Sequence, residues 1–219
     1  QFVKATPELN FGMYRWIDGS HVTEVEDRDL VQALRFVEQL HKARDCGSAQ
    51  DIPEAAEACL SFDNLWQQIE LKRQRFGKVV NKFTDLGEFL EQEFDSVYET
   101  FHATLFKQFP NLRTSVQLHK KWQTLSPSDF GFHNALRQAD GSLIWLDFEY
   151  FGWDDPVKLI SDFLWHPGFS LTTQQQQNWK EGCLQIFKDD AELPVRLEYG
   201  FPVYGLRWCL ILLNAFLRD

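Results

Sequence analysis

The chain has 219 residues, a formal net charge of −10 at pH 7 and a hydrophobic content of 44%. Its length allows one large domain, and that hydrophobic content is enough for a sizeable core. The acidity argues against a nucleic-acid-binding surface, which would be basic, and is compatible with a cationic small molecule as partner.

The cysteine spacing and the apolar runs bear on the cellular compartment. The four cysteines show no Cys-x-x-Cys spacing, so we expect reduced thiols in a cytoplasmic protein rather than a zinc site or disulfides. No secretory signal sequence is recognisable. The longest apolar stretch, residues 208–217, is too short to cross a bilayer and contains Asn214. We therefore expect a buried helix there and no membrane association.

The N-terminal part of the chain predicts a strand followed by a helix. Residues 13–17 read as a strand that ends in the turn signal Asp18-Gly19. Apolar side chains then recur at helical spacing over residues 27–44, and Asp27 is expected to be the N-cap of that helix.

The middle of the chain predicts further helices. Residues 52–75 read as one or two helices with Pro53 in the first turn, a position that tolerates proline. Residues 86–109 predict one long amphipathic helix, central to the domain, which Pro110 ends. Its core-facing side chains are expected to be Leu90, Phe94, Val97, Phe101 and Leu105.

Residues suited to phosphoryl transfer are concentrated between positions 125 and 149. Asp129 and Asn134 have the spacing Asp-x-x-x-x-Asn within a predicted loop, residues 125–134. A turn sequence and an apolar run follow, so a short hairpin is expected, with its second strand and strand end at residues 143–149. Asp147 lies at the exit of that strand.

These residue types have a chemical reason. A loop carboxylate, here Asp129, can orient an acceptor hydroxyl and take its proton, whereas an amide oxygen and a carboxylate, here Asn134 and Asp147, are hard ligands for Mg²⁺. Taken alone, Asp-x-x-x-x-Asn is a weak signal, because Asp and Asn are also ordinary turn residues. The Asp-Phe-Glu sequence after an apolar strand makes the pattern more specific.

Three helices are predicted after this motif. Residues 155–165 begin with Asp-Pro, the N-cap and first-turn residues of a helix. Residues 172–188 begin with Thr-x-x-Gln, which is a capping box. Residues 195–217 form a last helical region that we expect to be interrupted near Gly200 and Pro202.

Residues 125–165 resemble the aminoglycoside phosphotransferase and choline kinase-like family, small-molecule kinases with a protein-kinase-like fold. Members carry a His-Gly-Asp-x-x-x-x-Asn loop, an Ile-Asp-Phe/Trp-Glu strand end, an Asp-Pro pair and a helix bearing Asp. The matching positions are Asp129, Asn134, Asp147, Glu149, Asp155, Pro156 and Asp162. One departure is the loop histidine, because Pro127 and Ser128 precede the aspartate.

The resemblance implies a mainly α fold with a small β-hairpin, the C-lobe of a kinase-like fold. Residues 25–219 would be the helical C-lobe, and residues 1–24 the end of an N-lobe strand with the hinge. The backbone of Arg15 and Ile17 would then meet the adenine of ATP, although an edge strand without a ligand is the alternative. A Gly-rich phosphate loop and a strand lysine are not found, so the N-lobe is expected to be largely absent and the chain alone inactive as a kinase.

The resemblance also implies transfer of the γ-phosphate of ATP to the hydroxyl of a small molecule, with Mg²⁺. Asp129 would be the base, and Asn134 with Asp147 the metal ligands. Asp162 would be structural and would accept backbone N–H bonds from the catalytic loop. The acceptor site would be lined by Glu149, Trp153 and Asp154, for which an acidic surface turn with one packed tryptophan is the alternative.

Two other functions remain open at this point. The chain could be a catalytically inactive kinase-like fragment that acts as a binding module, as the missing N-lobe and loop histidine favour. Metal-dependent hydrolysis at Asp129 and Asp147 is less well supported, because the sequence shows no further carboxylate or histidine cluster for a two-metal site. A sugar, an aminoglycoside, a choline-like amine or an amino alcohol would each suit an acidic cleft as acceptor.

Overall fold

Helices make up most of the computed structural model, which describes residues 2–6, 11–110 and 116–217. The expected N-terminal unit and helical lobe therefore extend over some positions outside the described residues, namely 1, 7–10, 111–115, 218 and 219. The α-helices are α1 (Asp27–Ala43), α2 (Phe62–Phe76), α3 (Thr84–Glu88), α4 (Asp95–Gln108), α5 (Pro156–Trp165), α6 (Thr173–Ile186) and α7 (Leu193–Leu212).

The strands form small antiparallel sheets. They are β1 (Phe2–Thr6), β2 (Phe11–Tyr14), β3 (Ser20–His21), β4 (Thr124–Ser126), β5 (Ala135–Arg137), β6 (Leu143–Trp145) and β7 (Gly152–Asp154). Within the described ranges, β1 pairs with β2, β3 joins the β5–β6 hairpin, and β4 pairs with β7. The predicted hairpin is thus confirmed, with Ala135 opposite Trp145 and with Gly141 at φ +82° in its turn. The strand predicted at 13–17 is displaced towards the N-terminus, since β2 begins at Phe11 and ends at Tyr14.

The first helix begins almost where predicted, whereas the second begins ten residues late. Glu26, not Asp27, is the N-cap of α1, because its extended backbone lets it form a capping box with Asp29. Residues 52–61 are not α-helical. Their backbone pairs with β7 instead: Trp153 donates its N–H to the carbonyl of Pro53 at 3.0 Å. A strand partner far along the chain therefore overrides the local helical pattern.

A π-helical turn interrupts the long helix predicted over 86–109. The helical path runs from α3 through the π-helix Phe89–Phe94 into α4. Such a turn contains one extra residue and so rotates the following side chains relative to a regular α-helix. Val97 consequently points outward and is 45% exposed, which corrects its assignment to the core. Tyr98 packs inward in its place, with its ring 5.0 Å from that of Trp66.

The two helices that follow the motif confirm their predicted starts, but the last helix differs from expectation. Helix α7 continues through Pro202 without interruption. It packs against α2 and α5, so α7 rather than α4 is the central helix.

By length and composition the segment Leu193–Leu217 would be able to span a membrane. In this structure its Arg207 forms ion pairs with Glu57 and Asp162 inside the fold.

The pairing of residues 53–55 with β7 predicts that Gly152 does not tolerate a larger residue. A Cβ atom at Gly152 would clash with the backbone nitrogen of Ala55 and lie 2.5 Å from the carbonyl carbon of Glu54. We expect Gly152→Ala to cost about 1–3 kcal/mol of stability, or roughly 2–12 °C in melting temperature. The control is Gly47→Ala, where a Cβ meets nothing within 4 Å. Equal melting temperatures for the two variants would contradict the prediction.

Candidate functional site

Two buried phenylalanines hold the loop that contains Asp129. Phe132 is fully buried, with its ring 5.4 Å from that of Phe163, and Phe130 lies 4.7 Å from the ring of Trp145. Burying each phenylalanine stabilises the fold by about 1.5–3 kcal/mol. The loop is therefore fixed from the core side, while the neighbouring side chain of Asp129 remains 39% exposed.

The carboxylate of Asp129 is surrounded by three polar side chains. Its Oδ1 lies 3.2 Å from Nε2 of His133 and 3.6 Å from Nε2 of His166. The amide nitrogen of Asn134 donates to the backbone oxygen of Asp129 at 3.0 Å and lies 3.4 Å from Oδ2. The hydrogen bond from His133 holds the pKa of Asp129 below its ordinary value. Asp129 is therefore a carboxylate at neutral pH, the state that a general base requires.

Asn134 and Asp147 lie just beyond the paired residues of the β5–β6 hairpin, one before β5 and the other after β6. Leu146, the residue before Asp147, donates its N–H to the backbone oxygen of Asn134 at 2.8 Å. Because the side-chain nitrogen of Asn134 is occupied by Asp129, its amide oxygen is the atom left for a metal ion. Asp147 is exposed and has a left-handed backbone, φ +59°. Such conformations in residues other than glycine are uncommon and cluster at functional sites.

Tyr150 connects the acidic residues of the site. Its phenol forms a hydrogen bond with Glu149, and this bond together with the charges of Asp147 and Asp129 raises the pKa of the phenol. The charges of Glu149, Asp147 and Asp129 therefore all raise the pKa of one exposed phenol, that of Tyr150. The sequence analysis named Asp129, Asp147 and Glu149 but missed Tyr150.

The structure does not support an acceptor-binding role for Trp153 and Asp154. Trp153 is 1% exposed, and its indole N–H donates to the backbone oxygen of Ala49 at 3.0 Å. Asp154 is fully buried and accepts a hydrogen bond from the backbone N–H of Cys59 at 3.0 Å. Both belong to β7, whose pairing on two sides encloses them, and this corrects the expectation that they line an open site.

Asp162 is structural, as expected, but its partners differ from those predicted. Its Oδ1 accepts a 2.7 Å hydrogen bond from the indole of Trp208, and its Oδ2 lies 3.3 Å from Nζ of Lys158. In place of a direct backbone contact, Lys158 carries the connection to the loop by donating to Oγ of Ser128 at 2.9 Å. Ser128 in turn donates to the backbone oxygen of Ala56 at 3.2 Å.

Lys158 was missed by sequence reasoning, although it carried a signal. It lies four residues after Asp154 and four before Asp162, the spacing at which helical side chains meet. It is 2% exposed. Burial alone would lower the pKa of Lys158, but the adjacent carboxylates outweigh burial and raise it. Lys158 is therefore a buried cation that supports the loop through its hydrogen bond to Ser128.

The predicted hinge residues stay predictions. Arg15 is exposed and Ile17 is half-buried, in the segment without regular structure that joins β2 to β3.

His166, another residue that the sequence analysis missed, follows α5 and reaches Asp129 only through the tertiary fold. The only candidate metal cluster among the described residues is Asp129 with His133 and His166.

The burial of His166 gives the protein a predicted acid sensitivity. Burial, followed by the effect of His133, lowers the pKa of His166 to about 4 from an ordinary value of 6.5. Between these pH values the unfolded chain binds a proton that the folded chain does not, so the free energy of unfolding falls as the pH falls. We expect a loss of about 1–2 kcal/mol, allowing for solvent screening at the exposed edge of the ring.

Melting temperatures at pH 7.5 and pH 4.5 test this expectation. The His166→Gln variant should lose fewer degrees on acidification than the unchanged chain, by roughly 2–8 °C. His21→Gln, at an exposed position in β3, is the matched control and should lose as much as the unchanged chain. An identical loss in both variants would contradict the assignment to His166.

Comparison of the chain with protein-family models, with curated proteins and with solved structures gave no match. The resemblance described above therefore depends on the motif at residues 125–165. The geometry adds an ionised loop carboxylate, an asparagine whose amide nitrogen donates to the loop, and an aspartate with a left-handed backbone at the end of a hairpin.

Proposed function

We propose that this chain is the catalytic C-lobe of a small-molecule phosphotransferase with a kinase-like fold, acting in the cytoplasm. The observation that carries the proposal is the arrangement of Asp129, Asn134 and Asp147. The loop carboxylate is ionised and half-exposed, and the backbone oxygen of Asn134 accepts from Leu146, the residue before Asp147, at the end of the β5–β6 hairpin. In this proposal Arg15 and Ile17 belong to the hinge that binds adenine.

The reaction would be an in-line displacement on the γ-phosphate of ATP. The acceptor hydroxyl donates a hydrogen bond to Asp129, its oxygen bonds to phosphorus, the bond to the leaving ADP oxygen breaks, and the proton passes to the carboxylate. The amide oxygen of Asn134 and the carboxylate of Asp147 would hold Mg²⁺. The ion, when bound, supplies positive charge to the phosphate oxygens.

The surface around the site favours a cationic acceptor. Asp129, Asp147 and Glu149 act on one position, and the aromatic side chains of Phe148 and Tyr150 are 41% and 43% exposed beside them. Carboxylates attract a cation over some distance, and an aromatic face adds about 0.5–1 kcal/mol where the cation lies above it. An amine or a quaternary ammonium compound that also bears a hydroxyl fits both features.

Replacing Asp147 by asparagine should weaken metal–nucleotide binding. The change removes one negative charge from the proposed metal position but preserves the size of the side chain, so we expect the dissociation constant of Mg²⁺–ATP to rise at least about tenfold. Calorimetry measures this constant. With Mn²⁺ in place of Mg²⁺, NMR line broadening at Asn134 and Asp147 reports where the ion lies, since both metals prefer oxygen ligands.

The control for this experiment is Asp45→Asn, which removes the same charge from a side chain that is 81% exposed and lies outside the motif. It should bind Mg²⁺–ATP as the unchanged chain does. Broadening confined to other residues would exclude the proposed metal site. Tight nucleotide binding without phosphate transfer to any hydroxyl compound would instead favour the second candidate, an inactive binding module, which the replacement of the loop histidine by Pro127-Ser128 supports.

A further inference from the structure

Two histidine rings stack beside Asp129. The rings of His133 and His166 have centroids 3.6 Å apart and planes only 6° apart, and the ring of Phe169 is nearly parallel to both. Their Nε2 atoms approach the same carboxylate oxygen, Oδ1 of Asp129, at 3.2 and 3.6 Å. The stack therefore presents two ring nitrogens to one oxygen.

The protonation of His166 follows from its other nitrogen. The backbone N–H of Gly168 donates to Nδ1 of His166 at 2.9 Å, so Nδ1 carries a lone pair. A neutral ring with a lone pair on Nδ1 must carry its proton on Nε2. The ring is neutral at pH 7, because its pKa is lowered to about 4. The proton of His166 is thus on Nε2, the nitrogen that lies 3.6 Å from Oδ1 of Asp129.

The contacts of the two ring nitrogens also indicate the tautomer of His133. Its Nε2 lies within hydrogen-bonding distance of the anionic Oδ1 of Asp129, where a second lone pair would be repelled. Its Nδ1 is buried and has no hydrogen-bond partner among the described residues. A proton on Nε2 therefore satisfies the contact that is present, and His133 donates to Asp129. Nε2 of His166, at 3.6 Å, lies beyond hydrogen-bonding distance of the same oxygen.

A metal ion fits this cluster less well than protons do. The oxygen–nitrogen distances suit a tetrahedral ion, whose ligand atoms lie roughly 3.3–3.4 Å apart for metal–nitrogen bonds of about 2.0–2.1 Å. However, lone pairs lie in the ring plane, and two parallel rings cannot both direct them at one ion. The Nδ1 of a metal-binding histidine normally donates a hydrogen bond, whereas Nδ1 of His166 accepts one.

We propose that His133 and His166 are positioning residues for Asp129: His133 donates to Oδ1, and the ring of His166 stacks on that of His133 and holds it in place. Oδ2, which also lies 3.4 Å from the amide nitrogen of Asn134, then stays available to the acceptor hydroxyl. The part concerning the acceptor rests on the function proposed above. The pair would give the loop the support that a histidine before the aspartate would otherwise give, since Pro127 and Ser128 occupy those positions.

The neighbouring glycines fit this role. A Cβ atom at Gly168 would lie 2.8 Å from Cε1 of His166 and 2.9 Å from Cβ of His133. A Cβ atom at Gly131 would lie 2.8 Å from Nδ1 of His133. Both positions leave just enough room for the stacked rings, so the local sequence accommodates the pair on both sides.

The tautomers are directly measurable on this chain. Long-range ¹H–¹⁵N NMR spectra at pH 7.5 should show His133 and His166 protonated on Nε2. Asp129→Asn should shift the Nε2 signals of both rings and leave those of His21 and His41 unchanged. A proton on Nδ1 of His166, or signals that do not respond to Asp129→Asn, would overturn the proposal. So would stoichiometric Zn²⁺ binding through both Nε2 atoms.

A functional measurement separates positioning from mere structural support. In a form of the protein that transfers phosphate, His133→Leu should lower kcat by about tenfold to a hundredfold, as expected for one hydrogen bond to a charged group, without raising the KM for ATP. His133→Gln retains an N–H group and should restore part of that loss. Melting temperatures of both variants show whether either change merely unfolds the chain.

The two proposals fail in different ways. If the spectra show both Nε2 protons but no form of the protein transfers phosphate, the pair stands and the proposed function fails. If phosphate is transferred and His133→Leu turns over at the unchanged rate, the proposed function stands and the positioning role is wrong.

Discussion

Asp129→Asn is expected to lower the rate of phosphate transfer by about 10²–10⁴-fold, the usual contribution of a general base. The variant should retain its melting temperature and its affinity for Mg²⁺–ATP. The reason is that an asparagine oxygen still accepts the hydrogen bond from His133, whereas it cannot take the proton of the acceptor hydroxyl. Turnover is to be measured in whichever form of the protein shows ATP-dependent transfer.

Asp147→Asn supplies the contrast to this variant, because it should change nucleotide affinity as well as rate. A structural role for Asp129 predicts a different outcome. The backbone N–H of Asp129 already bonds to the oxygen of Pro127 at 2.9 Å, so the turn does not depend on the carboxylate alone. An Asp129→Asn protein with a lowered melting temperature but near-normal turnover would remove Asp129 from the mechanism.

Lys158→Met is expected to be the most destabilising of the single substitutions considered. Its ammonium group lies 3.1 Å from Asp154 and 3.3 Å from Asp162, and it also donates to Ser128. Methionine fills similar space but leaves two buried carboxylates without this cation. Removing one partner of a buried ion pair costs about 3–5 kcal/mol, or roughly 6–20 °C in melting temperature.

The matched control is Lys42→Met. Lys42 also pairs with a carboxylate four residues away on a helix, Glu38, but the side chains are 70% and 47% exposed. Such exposed pairs contribute only about 0.3–0.5 kcal/mol. Thermal and urea unfolding of both variants measure the difference. Similar losses in the two proteins would mean that burial of Lys158 does not make its ion pairs important for stability.

The parts of the fold that the sequence predicted well are those with local causes. The side chain of Asp155 caps α5 through the N–H of Val157, and Thr172 with Gln175 forms a capping box on α6. These contacts span only two or three residues. Residues 52–61 were assigned wrongly, because their backbone partner lies in β7, far along the chain.

The contacts of the candidate site likewise divide into those between residues close in sequence and those that depend on the tertiary fold. Asp129, Asn134 and Asp147 are close in sequence and connected by a hairpin, and the structure shows Asn134 in contact with Asp129 and with Leu146, the residue before Asp147. His166 and Lys158 come from α5 and its end, and their contacts with the loop exist only once that helix packs beneath it. Val97 was misassigned because its sequence pattern does not reveal the extra residue in the preceding π-helix.

The contacts of Ser128 tie the loop to two segments that are distant in the chain. Its hydroxyl donates to Ala56, beside the segment that pairs with β7, and accepts from Lys158 on α5. Contacts between distant segments carry a high loop-closure entropy and therefore form late in folding. The loop should accordingly reach its working shape after the helices have formed. Local opening of residues 53–56 would release it again, and amide exchange at Ala55 would report how often this happens.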